Sequence, residues 1–201
     1  MKAYTSNNIR NIAVLGHGGK GKTTLCEAML YIAGASDRLG RVADGNTVLD
    51  FDSEEKRRKS SVSSAIAALE WDNTKLNIID APGLFDFEGG AAEAVRAAEA
   101  VLIGTSAGSG VDVGTENAFR AAEKKGAAKF FAVTKTDSDH RNFYKTFDAL
   151  KEVYGNKLCP TIIPYMEGNI TKCYVNLMTG MAFSYDENGK ATKVPVPEDS
   201  V

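Results

Sequence analysis

Gly16-His17-Gly18-Gly19-Lys20-Gly21-Lys22-Thr23 is the stretch on which the reading of this chain turns. It matches the spacing G-x-x-x-x-G-K-[ST] in full, between a short apolar run at 11–15 and an apolar helical pattern at 23–32. A strand before it and a helix after it are the setting in which this spacing makes a phosphate cradle. Glycines let the backbone curl until its N–H groups point inward. The helix N-terminus adds its positive dipole end. Lys22 is expected to reach the β- and γ-phosphates, and the Thr23 hydroxyl to ligate Mg²⁺. The bland alternative is a Gly-rich strand-to-helix turn that binds nothing, and the flanking strand and helix weigh against it. The candidate phosphate-site residues are therefore Gly16, His17, Gly18, Gly19, Lys20, Gly21, Lys22, Thr23 and Thr24, with no catalytic role given to His17.

Two further signals follow in order. Asp80-Ala81-Pro82-Gly83 closes the apolar run 76–79. A carboxylate at the end of a buried strand beside a phosphate cradle can hold Mg²⁺ through water. Gly83 can offer its backbone N–H to a γ-phosphate where a side chain would crowd it. Alone, the tetrapeptide is an ordinary turn; its place after the cradle gives it meaning. Further on, the run 130–133 leads into Thr134-Lys135-Thr136-Asp137. An Asp carboxylate accepts two hydrogen bonds from guanine's ring N–H and exocyclic amine, a donor pair that adenine lacks, so adenine would leave it unpaired. Lys135 could lay its aliphatic stem along the base. Without the other two motifs, this segment reads as a solvated turn.

Around these motifs, apolar runs alternate with helical patterns. Strands are expected at 11–15, 61–71, 76–79, 101–104, 129–133 and 161–164, and helices at 23–32, 88–100, 115–125 and 139–154. Leu25, Met29 and Ile32 form the apolar face of the first helix, and Phe143, Phe147 and Leu150 that of the last. Asp72-Asn73-Thr74 reads as the turn of a hairpin. The alternation predicts an α/β fold with a mostly parallel sheet covered on both faces. Two stretches break the rhythm. Residues 34–60 are long and polar, with a charge run from Glu54 to Lys59 that reads as a solvated, mobile loop or, in a functional reading, as a segment that orders over a bound nucleotide. Residues 168–201 read as a β-meander, with strands 175–178 and 181–185 around Thr179-Gly180 and a second turn at Asp186-Glu187-Asn188-Gly189.

Composition sets the remaining bounds. Of 201 residues, 43% are hydrophobic, enough for a core, and 25% are charged. Lys and Arg number 24 against 26 Asp and Glu, so the net charge of −2 implies no broad basic face and any nucleic-acid contact must be local. Cys26, Cys159 and Cys173 lack C-x-x-C spacing, which argues against a zinc site, and Cys26 falls in an apolar helical pattern that suits a buried thiol. The N-terminal octet lacks the apolar core of a signal peptide, and no run is long enough to span a bilayer. The cytoplasm is the expected compartment.

In these residues the sequence resembles translational GTPases of the elongation factor G family and their elongation-factor-G-like paralogues. The resemblance rests on 11–17 running into 21–25, on Asn77-Ile78-Ile79-Asp80-Ala81-Pro82-Gly83-Leu84-Phe85-Asp86-Phe87, on Lys135-Thr136-Asp137, and on 43–61, which is similar to that family's first switch region. It covers roughly residues 9 to 185. It implies a three-layer P-loop NTPase G domain over 1–167, a partial β insert over 168–201, and a GTP-driven factor acting on the ribosome. Implied cofactors are GTP or GDP with Mg²⁺, held at Thr23, Ser61 and Asp80. Implied partners are guanine nucleotide and, for the full-length factor, ribosomal RNA and proteins, with no membrane, no DNA and a monomeric state. In the family the chain returns after the insert to complete the guanine pocket, so this sequence reads as an N-terminal fragment with weak nucleotide affinity.

Four departures from the family pattern stand out. The switch threonine is Ser61, which keeps the hydroxyl; the cation-linked P-loop aspartate is Gly19; the base-reading asparagine is Thr134, which loses an amide donor. The fourth is Leu84, where the family has the histidine that orients the attacking water. Leucine donates no hydrogen bond, which predicts slow hydrolysis with binding preserved. Three alternatives stay open: a nucleotide-dependent binding module without turnover, a P-loop ATPase or kinase in which Asp137 is incidental, and a ribosome-protection factor with the same motifs.

Overall fold

Residues 2–137, 142–168, 170–186 and 189–198 are described by the computed structural model. Five strands form the main sheet: β1 (Ile9–Leu15), β2 (Ala65–Trp71), β3 (Thr74–Asp80), β4 (Ala100–Ser106) and β5 (Ala128–Thr134), in the spatial order β2-β3-β1-β4-β5. β1 pairs parallel with β3 and β4, and β4 with β5, while β2 runs antiparallel to β3. The antiparallel pair is a hairpin whose Asp72 and Asn73 have φ of 44° and 58°. Two consecutive left-handed residues make the tight turn whose twist suits a two-residue hairpin loop. The sheet is thus α/β and mostly parallel, as its alternation of strands and helices predicts.

Helices α1 (Lys22–Ile32), α3 (Glu88–Ala97) and α4 (Val113–Lys125) cover the sheet, with α2 (Ser53–Arg58) and α5 (Phe143–Tyr154) completing the set. Alternate β1 side chains serve opposite layers. Ala13 and Leu15 pack with Ile79, Val101, Ile103 and the inner faces of α3 and α4. Val14 packs with Ile78, Leu69 and, from α1, Cys26 and Leu30. Each fully buried aliphatic side chain contributes roughly 1.5–3 kcal/mol. Successive strands leave β1 in opposite directions across the sheet, which opens a crevice at its carboxyl end. The loop 16–21 begins there.

The structure redraws several sequence-based boundaries. α3 stops at Ala97 rather than 100, and the first hairpin strand starts at Ala65 rather than 61. The inner face of α1 is Thr23, Cys26, Glu27 and Leu30, whereas Ile32 is 69% exposed. The strand expected at 161–164 is not in the main sheet. It is β6 (Ile162–Glu167), first of a separate antiparallel sheet with β7 (Ile170–Asn176), β8 (Met181–Tyr185) and β9 (Ala191–Val194). β6 pairs with β7 over its whole length, so hairpin pairing with its chain neighbour replaces a crossover back to β5. α5 begins at Phe143, where the Asn142 side chain accepts from the Tyr144 N–H at 2.8 Å. The expected helical start at 139–141 and the turn residues 187–188 lie outside the described residues.

The largest correction concerns 34–60. The charge run forms a helix in place of a loop, although its Lys56, Arg57, Arg58 and Lys59 side chains are exposed as expected. Asp52 caps α2 and forms a reciprocal capping box with Glu55, the local pattern that starts a helix from D-x-x-E. Glu55 is 2% exposed, and its Oε1 accepts from the Val62 and Ser63 N–H groups at 3.0 and 3.2 Å. Leu49 is also 2% exposed and sits in the core beside Cys26 and Leu30. The stretch is therefore anchored by one leucine and by a buried carboxylate.

That anchoring gives a direct expectation. Leu49→Ala should cost about 2–5 kcal/mol in urea unfolding, whereas Phe51→Ala, at a side chain 66% exposed, should stay within about 0.5 kcal/mol. Equal effects would return the segment to a loose loop.

Candidate functional site

The loop 16–21 joins β1 to α1, and Gly21, with φ of 77°, stands at the N-cap of α1. The side chains that follow it, Lys22 and Thr23, are 7% and 8% exposed. Thr23 Oγ1 donates to Asp80 Oδ2 at 2.6 Å, tying the start of α1 to the carboxyl end of β3. Its oxygen lies 3.2 Å from Ser61 Oγ. Ser61 Oγ in turn donates to Asp50 Oδ1 at 2.7 Å. Thr23, Ser61 and Asp80 are thus brought together, and Asp50, to which the sequence alone assigns no role, joins them. A cleft of about 190 Å³ lies over Thr23, Ser61 and Asp50, lined also by Gly18, Lys22, Gly83 and Lys135.

The group is electrostatically unbalanced. Asp50 Oδ2 and Asp80 Oδ1 are buried and have no hydrogen-bond partner among the described residues. Burial raises the Asp80 carboxyl to about 7, against the opposing pull of the Thr23 hydroxyl and the Lys22 ammonium. Burial also raises Asp50, against its hydrogen bond from Ser61. Lys22 is lowered, again by burial first. Its Nζ donates to the His17 carbonyl at 3.1 Å within its own loop. Two orphaned carboxylate oxygens beside two hydroxyls make a donor set that suits a hard divalent cation. Mg²⁺ in such sites takes one or two carboxylates and completes its shell with water and phosphate oxygens. No cluster of three or more His, Cys, Asp or Glu side chains able to hold a metal occurs among the described residues. A cation here therefore depends on the hydroxyls and on a ligand's own oxygens.

Gly83 shows how closely the cradle is packed. A Cβ built there would meet Lys22 Nζ, and would come within 2.7 Å of both the Gly16 carbonyl oxygen and the Gly18 nitrogen. Leu84 lies over the same loop, with a Cβ on Gly18 falling 2.9 Å from its Cδ2. The His17 ring turns aside to Phe85, at 5.6 Å between centroids. Lys20 also leaves the cradle: its Nζ pairs with Asp112 at 2.9 Å and donates to Ser109 Oγ at 2.7 Å. Thr24 is exposed at the cleft.

On the other side, the Thr134 hydroxyl lies 2.7 Å from the Lys20 carbonyl and 3.0 Å from that of Thr105, so it tethers the loop to the sheet. Lys135, with φ of 57°, donates from Nζ to the Gly19 carbonyl at 2.6 Å. Asp137 stands exposed beyond it. Sequence reading missed the Lys20–Asp112 pair and the place of Asp50. Neither carries a local signal, because each partner arrives from a distant loop.

Residues 7–196 match the family described as the elongation factor Tu GTP binding domain. The chain belongs to that family. It is 33% identical over 192 residues to an elongation factor G-like protein of Mycobacterium tuberculosis, covering 96% of this chain and 26% of that protein. Elongation factor G of Mycoplasma genitalium is 30% identical over 196 residues, with coverage of 96% and 28%. A crystal structure of a Thermus thermophilus protein superposes with a TM-score of 0.89 at 38% identity, over 95% of this chain and 28% of that one. This member of the family spans little more than a quarter of the length of these relatives. Its main sheet and separate antiparallel sheet correspond to a G domain with a β insert. Among the described residues no helix is long and apolar enough to cross a membrane.

The raised carboxyl of Asp80 gives a pH-dependent expectation. Its folded value of about 7 lies above the ordinary value of about 3.9. The folded chain therefore holds a proton that the unfolded chain has released. This stabilisation is complete below about pH 4 and is lost as pH rises through 7. Asp80→Asn should raise the thermal midpoint of the nucleotide-free protein at pH 8, with the gain shrinking towards pH 5 in scanning calorimetry. A gain independent of pH would remove the buried charge from the account.

Proposed function

We propose that this chain binds GTP or GDP with Mg²⁺ and serves as the nucleotide switch of an elongation-factor-G-like translation factor acting on the ribosome. The convergence of Thr23, Ser61 and Asp80 beneath the glycine loop carries this reading. In it, the backbone N–H groups of 16–21 and the α1 N-terminus take the phosphates, and Lys22 swings from the His17 carbonyl to the β- and γ-oxygens. Thr23, Ser61, Asp80 and Asp50 hold Mg²⁺, which when bound neutralises charge on the phosphate oxygens. The N–H of Gly83 meets the γ-phosphate. Asp137 accepts from guanine's ring N–H and amine, and Lys135 lies along the base. Loss of the γ-phosphate would free the 34–60 and 80–90 segments, the order–disorder step by which such switches signal. The second sheet corresponds to the β insert of the family's G domain, and the ribosome is the partner that this reading assigns.

Calorimetry with GDP, GTP and ATP tests the base and the cradle together. Guanine nucleotides should bind in Mg²⁺, ATP should show no measurable heat, and Lys22→Ala should abolish uptake. Equal binding of ATP overturns the assignment.

Leu84 favours a second reading, in which binding outlasts chemistry. Phosphoryl transfer depends on positioning and electrostatics, and the side chain packed over Gly18 is aliphatic and donates nothing to a water. Ribosome-stimulated phosphate release by the complete factor should therefore be slow and should rise on Leu84→His. Fast release by the unaltered factor refutes this second reading and leaves the switch intact.

A further inference from the structure

α1 carries a residue that the phosphate cradle does not use. Glu27 lies one helical turn beyond Thr23, on the same face. It is 0% exposed. Its Oε1 accepts from two consecutive backbone N–H groups, Val48 at 2.8 Å and Leu49 at 3.0 Å. Its Oε2 has no hydrogen-bond partner among the described residues. That oxygen is packed against Gly40, where a Cβ would overlap it and would also fall 2.9 Å from Thr47 Cα. The two ends of the excursion 40–47 therefore close over one carboxylate.

A buried carboxylate is expensive, and an apolar side chain of similar volume fills the same space at lower cost. Packing alone does not account for Glu27. What an apolar side chain cannot supply is the acceptor for the Val48 and Leu49 N–H groups. Those groups fix a short turn in which Asp50 N–H donates to Thr47 Oγ1 at 3.2 Å and the Thr47 hydroxyl lies 3.3 Å from the Asp50 carbonyl. Thr47 and Asp50 are 6% and 4% exposed. The turn delivers Asp50 Oδ1 to Ser61 Oγ, which lies against Thr23 Oγ1. A closed ring of contacts results: α1 holds the turn through Glu27, the turn holds Asp50 and Ser61, and these return to α1 at Thr23.

We infer that Glu27 is a positioning residue for the cation half of the site: by pinning Val48 and Leu49 to the helix that bears Lys22 and Thr23, it holds Asp50 and Ser61 where Mg²⁺ is taken. Gly40 is its counterpart in the loop, the residue without a side chain that lets the strap close on the carboxylate. This inference rests on the nucleotide reading above and adds to it the element that preorganises the metal side without touching phosphate or base.

The test compares wild type with Glu27→Ala, and with Gly40→Ala, which disturbs the same carboxylate from the loop side and is read instead if Glu27→Ala fails to fold by circular dichroism. Affinity for a non-hydrolysable GTP analogue is measured by calorimetry in Mg²⁺ and in EDTA. Each variant should keep its EDTA affinity within about twofold while Mg²⁺ affinity of the nucleotide-bound protein falls about 10- to 100-fold, the usual loss when a residue that orients metal ligands is removed. Hydrogen exchange with the GTP analogue bound supplies a second readout: the Val48 and Leu49 amides should be protected in wild type and exchange rapidly in the variants. Glu27→Gln, which retains an oxygen for those amides, should restore part of both. An unchanged gap between Mg²⁺ and EDTA affinities in the variants overturns the positioning role alone. A wild type whose binding of the GTP analogue ignores Mg²⁺, or that binds no guanine nucleotide, overturns the nucleotide reading and this inference with it, whatever the exchange data show.

Discussion

The hydrogen bond from Thr23 Oγ1 to Asp80 Oδ2, at 2.6 Å, joins the first turn of α1 to the end of β3. It is buried, and parallel pairing has already set Asp80 beside Val14 on β1, the strand that leads through the loop 16–21 into α1. Around it the molecule keeps more negative charge than it neutralises: Asp80, Asp50 and Glu27 each hold an unpartnered buried oxygen among the described residues, and Lys22 is turned back onto its own loop. A site arranged in this way has its deficit built in. On the proposed reading, a bound cation and phosphate would supply the charges that the chain leaves out.

The same constraint explains why residues 34–60 are ordered while carrying little regular structure. A polar stretch of this length cannot bury enough apolar area to pin itself, and Leu49 is its one aliphatic side chain in the core. Carboxylates do the rest. Glu27 and Glu55 each gather consecutive backbone N–H groups, 48 and 49 for the first and 62 and 63 for the second. Such anchors are strong when satisfied and release as a unit when broken. A segment held by a few local bonds, not by a continuous core, has the low local stability that moving elements are drawn from.

Leu84 sets the chemistry apart from the binding. Every contact that the cradle requires is made by backbone groups, by Lys22 or by hydroxyl and carboxylate oxygens, and none passes through Leu84. Its side chain instead covers Gly18 with hydrocarbon. On the proposed reading, nucleotide binding and slow turnover would be compatible in one site, because the groups that hold a ground state need not be those that orient a water.

The glycine loop with its lysine and threonine, the carboxylate ending β3, and the alternation of strands and helices were legible in order along the chain. Each depends on interactions within a few residues: glycine's access to left-handed φ, helix periodicity, and strand patterning. The hairpin at Asp72-Asn73 was legible for the same reason. What only the tertiary structure decided lies between residues far apart in sequence. Asp50 meets Ser61 eleven residues on, Glu27 meets Val48 across twenty-one, Lys20 reaches Asp112, and β6 joins the second sheet because β7 supplies its partner. A charge run looks solvated from its own sequence, since nothing in Glu55 itself records the N–H groups that loop back to it. The sequence by itself determined the cradle and the layered sheet; the packing of distant loops decided which carboxylates were buried beside it, because burial and pairing are properties of contacts that no local pattern encodes.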